Sequence, residues 1–590
     1  MTAEMIIVII AILLMLVGLF FEIARPDLLV FGTLFFFLMM GYVDTEQALS
    51  GFSNEGMLTI ALLFIVAGVF ERSGLIERLI GKFLANTNSE RGALMKLLLP
   101  ISGFSAFVNN TPIVVTLTPI IKKWAAENNI SPSKFLIPLS YASIIGGTIT
   151  LMGTSTNLVI HGLLLQEGDL GFTFFQLAWV GLPVTIIGVI YLILFGPKIL
   201  PNNQSLIDKV KMNTKDYLSE MAVTYEFPSK GRTVEEAGLR NLKGLYLIEI
   251  LRENKSISPV TGETMILEGD RLLFTGMLST IADLQKRKGL TLDTGTDISI
   301  DDVEQQESPL VEAVVSHQSY LLGRTIKQSR FREKYNAAVL AVHRNDELVQ
   351  GKIGDIVPKA GDLLLLVTGE NFDPHQDHRD FYTTSPVDEQ KFYESENKGW
   401  FALVLLLSMI ALVTFQVISI FKAMVITVGV LIVTKAITPR QAKQSVQFQV
   451  LLLIASALGI GSVIKETGTA EFLGNSLVNS LAPLGVIAIL GSIYMMTNIF
   501  TELITNNAAA VIMFPIGLEV ASSVGIEPIG MAVLVAIAAS ASFLSPIGYQ
   551  TNLIVYGPGG YTFKDYLKSG FPLTLLVMIT TIMIVHIKYI

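Results

Sequence analysis

The stretch SGFSAFVNNTPIVVTLTP (102–119), read with FTELITNNAAAVIMFP (500–515), decides the fold. Each places a cluster of amides and hydroxyls in the middle of an apolar run. Asn109-Asn110-Thr111 begins ten residues before Pro119, and Thr505-Asn506-Asn507 begins ten before Pro515. A polar cluster at that depth marks non-helical backbone, which a bilayer tolerates only where it is buried in protein or lines a cavity. The surrounding segments, about 92–124 and 484–520, are therefore expected to be re-entrant hairpins.

Further matches flank both hairpins in the same order. Residues 45–79 read against 438–473, with Gly74 and Gly468 in matching turns. GTSTNLVIHG (153–162) reads against GYQTNLIVYG (548–557), and GFTFFQLAWVGLP (171–183) against GYTFKDYLKSGFP (560–572). Apolar stretches able to cross a core of about 30 Å, some by extending into their polar flanks, recur at 5–21, 28–43, 57–70, 134–165 and 174–196, then at 400–414, 417–436, 448–464, 527–558 and 570–587. Five spans per half is an odd number, so the second half must lie upside down relative to the first. Inverted repeats with interrupted helices point to a secondary transporter whose site lies at the repeat interface.

Composition agrees. Of 590 residues 51% are hydrophobic and only 16% charged, and the mean hydropathy is +0.57. Residues 201–396 hold 55 of the 92 charged residues, about 28% of that stretch against about 9% elsewhere. A soluble enzyme, a disulfide scaffold and a disordered chain are excluded together, leaving a polytopic helical membrane protein with one soluble insert. There is no cysteine, hence no thiolate metal site, and the net charge of −8 gives no case for nucleic acid. Met5 to Phe21 lacks both a basic flank and a small-x-small cleavage site, and is read as a permanent span.

Loop charges set the orientation. Loop 44–56 carries Asp44, Glu46 and Glu55 and no basic residue, whereas the next carries Arg72, Arg78, Lys82, Arg91 and Lys96. Following the spans puts the insert, loop 437–447 and loop 559–569 inside a cell (inner or plasma) membrane, with both termini outside. The hairpin tips hold no Lys, Arg or His. Amide and hydroxyl oxygens with carbonyls freed at a helix break suit a hard monovalent cation, and half-helix N-termini suit an anion. Glu502 is read as a solvated or paired carboxylate near the interface rather than a coupling site, and His161 as a polar-loop residue.

On these motifs the membrane portion, about 390 residues, resembles the divalent anion:sodium symporter (DASS) family, whose two Ser-Asn-Thr hairpin motifs bind sodium and substrate. The resemblance implies an elevator-type homodimer in the lipid bilayer, carrying sodium ions and a small divalent anion, sulfate or dicarboxylate, with no organic cofactor and no catalytic residues. It implies a first sodium site at Ser105, Asn109, Asn110 and Gly153 and a second at Thr501, Thr505, Asn506 and Gly548. Substrate would meet Asn110, Thr111, Thr154, Thr156, Asn157, Asn506, Asn507, Thr551 and Asn552. Asn109 and Thr505 replace the usual Ser, Asn507 replaces the usual Thr, and Tyr549-Gln550 stands where dicarboxylate carriers are proline-rich. These changes bring a smaller tetrahedral dianion such as sulfate into range. An exchanger of the same fold remains the alternative, and a ligand-gated ion channel the rival from another class.

The insert carries its own repeat. Gly231-Arg232-Thr233 precedes Gly269-Asp270, Gly323-Arg324-Thr325 precedes Gly361-Asp362, and 39 residues separate Gly231 from Asp270 and Gly323 from Asp362. LYLIEILREN (245–254) and AAVLAVHRND (337–346) are each a strand running into a polar turn. Both copies resemble the TrkA C-terminal (RCK C) regulatory domain, which implies pairing and a small regulatory ligand such as cyclic di-AMP. Neither has the GxGxxG half that NAD or ATP binding would need. The expected layout is membrane repeat 1 at 1–200, modules at 206–293 and 308–373, a linker at 374–398 and membrane repeat 2 at 399–590. DPHQDHRD (373–380) is read as charged linker rather than metal site.

Overall fold

The computed structural model describes all residues except Met1, Glu22, 85–88, Asn129, 204–217, Asn241, 243–244, 253–254, 258–259, 277–287, 293–309, 317–318, 345–346, 350–351, 369–379 and 384–395. Most of DPHQDHRD therefore lies outside the described residues, as do parts of the module boundaries and the linker. No cluster of three or more metal-ligating side chains occurs among the described residues.

The chain opens with α1 (Ala3–Phe20), α2 (Pro26–Met39), α3 (Thr45–Leu49), α4 (Glu55–Ser73), α5 (Leu75–Leu84), α6 (Glu90–Ser105), α7 (Asn110–Glu127), α8 (Leu136–Gly147), α9 (Ser155–Gln166) and α10 (Ala178–Ile199). After the insert come α11 (Glu396–Thr414), α12 (Ile420–Val433), α13 (Pro439–Ser445), α14 (Phe448–Glu466), α15 (Thr469–Leu481), α16 (Val486–Leu503), α17 (Asn506–Val524), α18 (Pro528–Ser540), α19 (Gln550–Tyr556) and α20 (Phe563–Tyr589). The expected hairpins are α6–α7 and α16–α17. The long apolar segments 134–165 and 527–558 are split into α8–α9 and α18–α19. The short helices α3, α5, α13 and α15 were not anticipated. Gly74 closes α4 at φ 64° and Gly468 precedes α15 at φ 70°, the left-handed backbone that a glycine adopts without strain.

Packing between the two series is reciprocal. Helix α2 packs on α14 as α12 packs on α4, α7 on α19 as α17 on α9, and α8 on α19 as α18 on α9, while α10 lies against α20. Among the described residues, seven helical stretches are long and apolar enough to cross a membrane, and Ala3–Leu19, Pro26–Met39, Ile420–Val433 and Pro528–Ser540 are apolar but shorter. Large apolar side chains such as Ile10, Leu14, Ile186, Phe195, Ile487, Ile499, Ile579 and Met583 are exposed on α1, α10, α16 and α20. Outward-facing apolar surface of this kind is stable in lipid rather than water. The arms α16 and α17, 18 and 19 residues long, rise about 27 Å each. Either arm is long enough to cross, but a returning pair leaves the parity of later spans unchanged.

The insert holds two antiparallel sheets. The first, ordered β3-β2-β4-β1-β5, comprises β1 (Leu218–Val223), β2 (Leu245–Arg252), β3 (Lys255–Ile257), β4 (Arg271–Gly276) and β5 (Leu290–Leu292). The second, ordered β10-β6-β9-β7-β8, comprises β6 (Leu310–Val315), β7 (Ala337–Arg344), β8 (Glu347–Leu348), β9 (Leu363–Thr368) and β10 (Phe381–Thr383). The correspondence is residue for residue at an offset of 92: the register shifts between Leu247 and Glu249 in one and between Val339 and Ala341 in the other. Arg252 grips Asp270 with Nε and a terminal nitrogen at 2.8 and 2.9 Å, and Arg344 grips Asp362 at 2.8 and 2.7 Å. The hydrogen bonds to Asp362 hold the Arg344 guanidinium above its ordinary pKa. This explains the Gly-Asp signature, because each aspartate ties a strand end to the turn before it and also accepts from the N–H of Leu267 or Lys359.

Asp380, the one described residue of the DPHQDHRD stretch, accepts from Lys334 Nζ at 2.8 Å, Tyr335 OH at 2.7 Å and the N–H of Tyr320. Burial alone would raise this carboxyl, but those three donors outweigh it and hold its pKa below the ordinary value.

Asp362→Ala strands the Arg344 fork and the Lys359 N–H. With Arg344 partly solvated, the cost is about 2 kcal/mol, expected as earlier proteolytic cleavage of the second module in the intact protein.

Candidate functional site

Four helix starts meet at the breaks: α7, α9, α17 and α19. Their N-cap residues are Asn109, Thr154, Thr505 and Tyr549, and none makes a side-chain cap hydrogen bond. Asn and Thr are among the residues that ordinarily cap, and Thr2, Asp44, Asn54 and Ser89 do so at α1, α3, α4 and α6. At the tips the side chains are not used in this way, and these four helix starts have no side-chain cap.

In the first half, Ser105 Oγ donates to the Ser143 carbonyl at 2.7 Å, where α8 opens, and to Asn110 Oδ1. Asn157 Nδ2 donates to the carbonyls of Gly147 at 3.2 Å and Thr150 at 2.8 Å, ten and seven residues back. In the second half, Thr501 Oγ1 donates to the Ala539 carbonyl at 2.6 Å and to Asn506 Oδ1 at 2.8 Å. Asn552 Nδ2 donates to Ser542 at 3.0 Å and Ser545 at 3.1 Å, again ten and seven back. The spacing of every bond is the same in both halves. The break loops also crowd their glycines: a Cβ on Gly153 would fall 2.3 Å from the Gly147 carbonyl oxygen, and one on Gly548 2.3 Å from Ser542 Oγ.

The halves are joined across the middle. Asn110 Nδ2 donates to Tyr549 OH at 2.7 Å, Thr154 Oγ1 lies 3.3 Å from the same hydroxyl, and Thr111 Oγ1 donates to Gln550 at 3.2 Å. Reciprocally, Ser155 and Thr156 donate to Asn507 Oδ1 at 3.2 and 3.3 Å. Thus Ser105, Asn110, Thr111, Thr154, Thr156, Asn506 and Asn507 converge. Thr551 and Asn552 are instead engaged by Ser140 Oγ, at 2.8 and 2.7 Å, beneath the tips. Asn109 sits at its helix start with no cap bond.

Ser140 was not placed in the site by sequence, and Ser155, Tyr549 and Gln550 entered it only as members of the break loops 153–157 and 548–552, without roles of their own. Tyr549-Gln550 stood out as a departure from a motif, which was the available signal. His161 does not lie in a loop but is buried within α9, where its Nδ1 accepts from the Phe172 N–H at 2.9 Å. Glu502 is paired rather than solvated. It lies at the second tip, its Oε1 accepting from the Leu544 N–H at 2.8 Å and its Oε2 buried.

The citrate transporter family model (CitMHS) matches residues 5–536. The chain belongs to this family. Among relatives of this permease, an uncharacterized transporter of Synechocystis is 31% identical over 94% of this chain and 92% of its own. Sodium/sulfate cotransporter 1 of Chlamydomonas reinhardtii is 26% identical over 91% of this chain and 84% of its own. A sodium-dependent dicarboxylate transporter of Staphylococcus saprophyticus is 27% identical, but over only 26% of this chain and 29% of its own. The protein is therefore a multi-pass membrane protein of a transporter family, and the three relatives named above are transporters.

For a permease the most informative atoms are the buried oxygens that make no hydrogen bond of normal geometry. Thr505 Oγ1 is such an atom in the second half and Asn157 Oδ1 in the first, while the Ser542 hydroxyl is hydrogen-bonded to the Glu502 carboxylate. A Cβ on Gly548 would lie 2.3 Å from that Ser542 oxygen, 2.8 Å from Glu502 Oε2 and 3.1 Å from the Thr501 carbonyl oxygen, so these oxygens gather around one point. Leaving an oxygen such as Thr505 Oγ1 unpaired is costly unless something satisfies it, and an all-oxygen set fits a hard cation. The same position in the first hairpin is Ala106, one residue after Ser105 as Glu502 is one after Thr501.

Asn110→Ala or Asn506→Ala should reduce sodium-dependent uptake at least tenfold at unchanged membrane yield, measured with purified protein in vesicles. Tyr549→Phe, which leaves the Asn110 amide without its acceptor, should raise the KM for the anion about three- to tenfold with a smaller effect on the maximal rate.

Proposed function

We propose that the protein is a sodium-coupled symporter that imports a divalent anion, sulfate first among the candidates, by elevator-type alternating access. The observation that carries this reading is the pairing of helix starts that lack a side-chain cap with oxygens gathered at the break loops. The N-termini of α7, α9 and α17 offer N–H groups and positive dipole ends to an anion, while the oxygens around Gly548 and beside Asn110 suit sodium. Anion and cations held side by side lower each other's cost of leaving water.

Sulfate is favoured because the sodium/sulfate cotransporter matches along nearly the whole chain and the dicarboxylate carrier along only a quarter of it. The bulk of Asn507 and Tyr549 at the tips also favours a compact tetrahedral dianion over a longer dicarboxylate. In this reading the membrane halves are inverted repeats, the carrier is a homodimer, both termini face outside, and the insert is a cytoplasmic pair of TrkA C-terminal-like regulatory modules.

Charge sets the coupling. A dianion entering against about 100 mV, inside negative, costs about 4.6 kcal/mol at about 2.3 kcal/mol per charge. Two sodium ions cancel that charge, and a third lets voltage drive import. Proteoliposomes supplied with sulfate, succinate, malate or citrate, with and without sodium, are expected to show saturable sodium-dependent uptake of sulfate that an inside-negative potential accelerates. Ohmic, non-saturating flux would reject the carrier, and rates indifferent to voltage would reject the third cation.

A further inference from the structure

We propose that the second module of the insert is a built-in clamp on α7 and α19, the two helices that leave the candidate site toward the insert. The proposal rests on the reading above in one respect: these helices are taken to move during transport.

Both helices start at the tips and end on the second sheet. Twelve residues after Asn110, α7 presents Lys122, whose Nζ meets Glu312 Oε2 of β6; their side chains are 10% and 0% exposed. Helix α7 also packs against β10. Helix α19, starting at Gln550 beside Thr111, carries Leu553 to within 2.5 Å of where a Cβ on Gly361 would sit, and the Gly557 that follows it lies beneath Leu363. The second sheet has two apolar faces. Val311, Ala313, Val315, Leu364 and Leu366 line the module's own core. Val314, Leu363, Leu365, Val367 and Tyr382 instead belong to the same continuous apolar cluster as the membrane helices.

The two modules differ where this contact requires it. At the offset of 92, Glu220 corresponds to Glu312 and Arg271 to Leu363. In the first module Arg271 pairs with Glu220 inside its own sheet. In the second, leucine replaces that arginine, the carboxylate turns to Lys122 of the transport helix, and the leucine packs on Gly557. One change in the duplicate thus creates both the polar and the apolar half of the docking surface. Arg332 then donates to the carbonyls of Leu247 and Val260, which ties the first module to the second. A buried lysine–glutamate pair is expensive to separate once formed. Displacement of α7 and α19 therefore requires the second module to travel with them or let go.

The chain has no cysteine, so introduced pairs report without background. In Leu363→Cys with Gly557→Cys, the two Cβ positions lie 3.0 Å apart, a few tenths of an ångström short of the roughly 3.5–4.5 Å span of disulfides, so the pair needs only a slight separation to bridge. In proteoliposomes, oxidation should form the cross-link, read by peptide mass spectrometry. It should cut sodium-dependent sulfate uptake at least tenfold, and dithiothreitol should restore uptake in the same vesicles. Failure to cross-link, or transport at the reduced protein's rate once cross-linked, overturns the clamp. A charge exchange covers the case in which the cysteine pair does not fold. Lys122→Glu should raise the maximal uptake rate about threefold at unchanged KM, and adding Glu312→Lys should return it to the unmodified value. An unchanged rate in Lys122→Glu, or no reversal on adding Glu312→Lys, overturns the proposal. Absence of sodium-dependent sulfate uptake by the unmodified chain would instead reject the transport reading, so the two failures are read on different proteins.

Discussion

Opening a helix inside a bilayer exposes carbonyl and N–H groups where no lipid can satisfy them, at a cost of several kcal/mol per group. Everything around the tips of this permease answers that constraint. Asn157 and Asn552 each close two carbonyls of their own break, ten and seven residues back. Ser105 and Thr501 each close one carbonyl of the opened helix behind it. Asn498 donates to Ala538 and Ala541 in the same service, whereas Ser102 donates to Ala142 within the body of α8. With these carbonyls satisfied by side chains, the helix starts are left without side-chain caps.

This division of labour separates what sequence made legible from what it did not. Polar clusters inside apolar runs are visible in one dimension, and so were the breaks, the hairpin arms and the parallel order of the two halves. The partners of each polar group are not visible there. Asn157 and Asn552 stood in a recognisable loop motif, yet their amides staple backbone rather than facing one another. Tyr549 reads as a departure from a pattern, but its hydroxyl takes the Asn110 amide from a position 439 residues away. Glu502 reads as an interface carboxylate because hydropathy reports depth only loosely; contact with the Leu544 N–H holds it at the tip instead. His161 was misplaced for a related reason, since α9 runs on past the break and buries it.

The insert shows the same limits from the soluble side. Its duplication was legible because Gly and Asp are required at fixed points of a turn, and the Arg252–Asp270 and Arg344–Asp362 forks explain the aspartates. The arginines themselves sit at the ends of strands with no neighbour in sequence to mark them. Where the copies diverge is as informative as where they agree: Arg271 and Leu363 occupy one position of a shared sheet and face different surroundings.

Helix α7 joins these two worlds in one element, with Asn110 at its start and Lys122 about 18 Å along it, past Pro119. Coupling between two sites on one body is reciprocal by thermodynamic necessity. On the proposed reading, whatever docking of the second module does to the affinity of the tips for an anion, occupancy of the tips must do to the docking. A carrier of that design would also be a gauge, with the state of its site legible to anything that binds the insert.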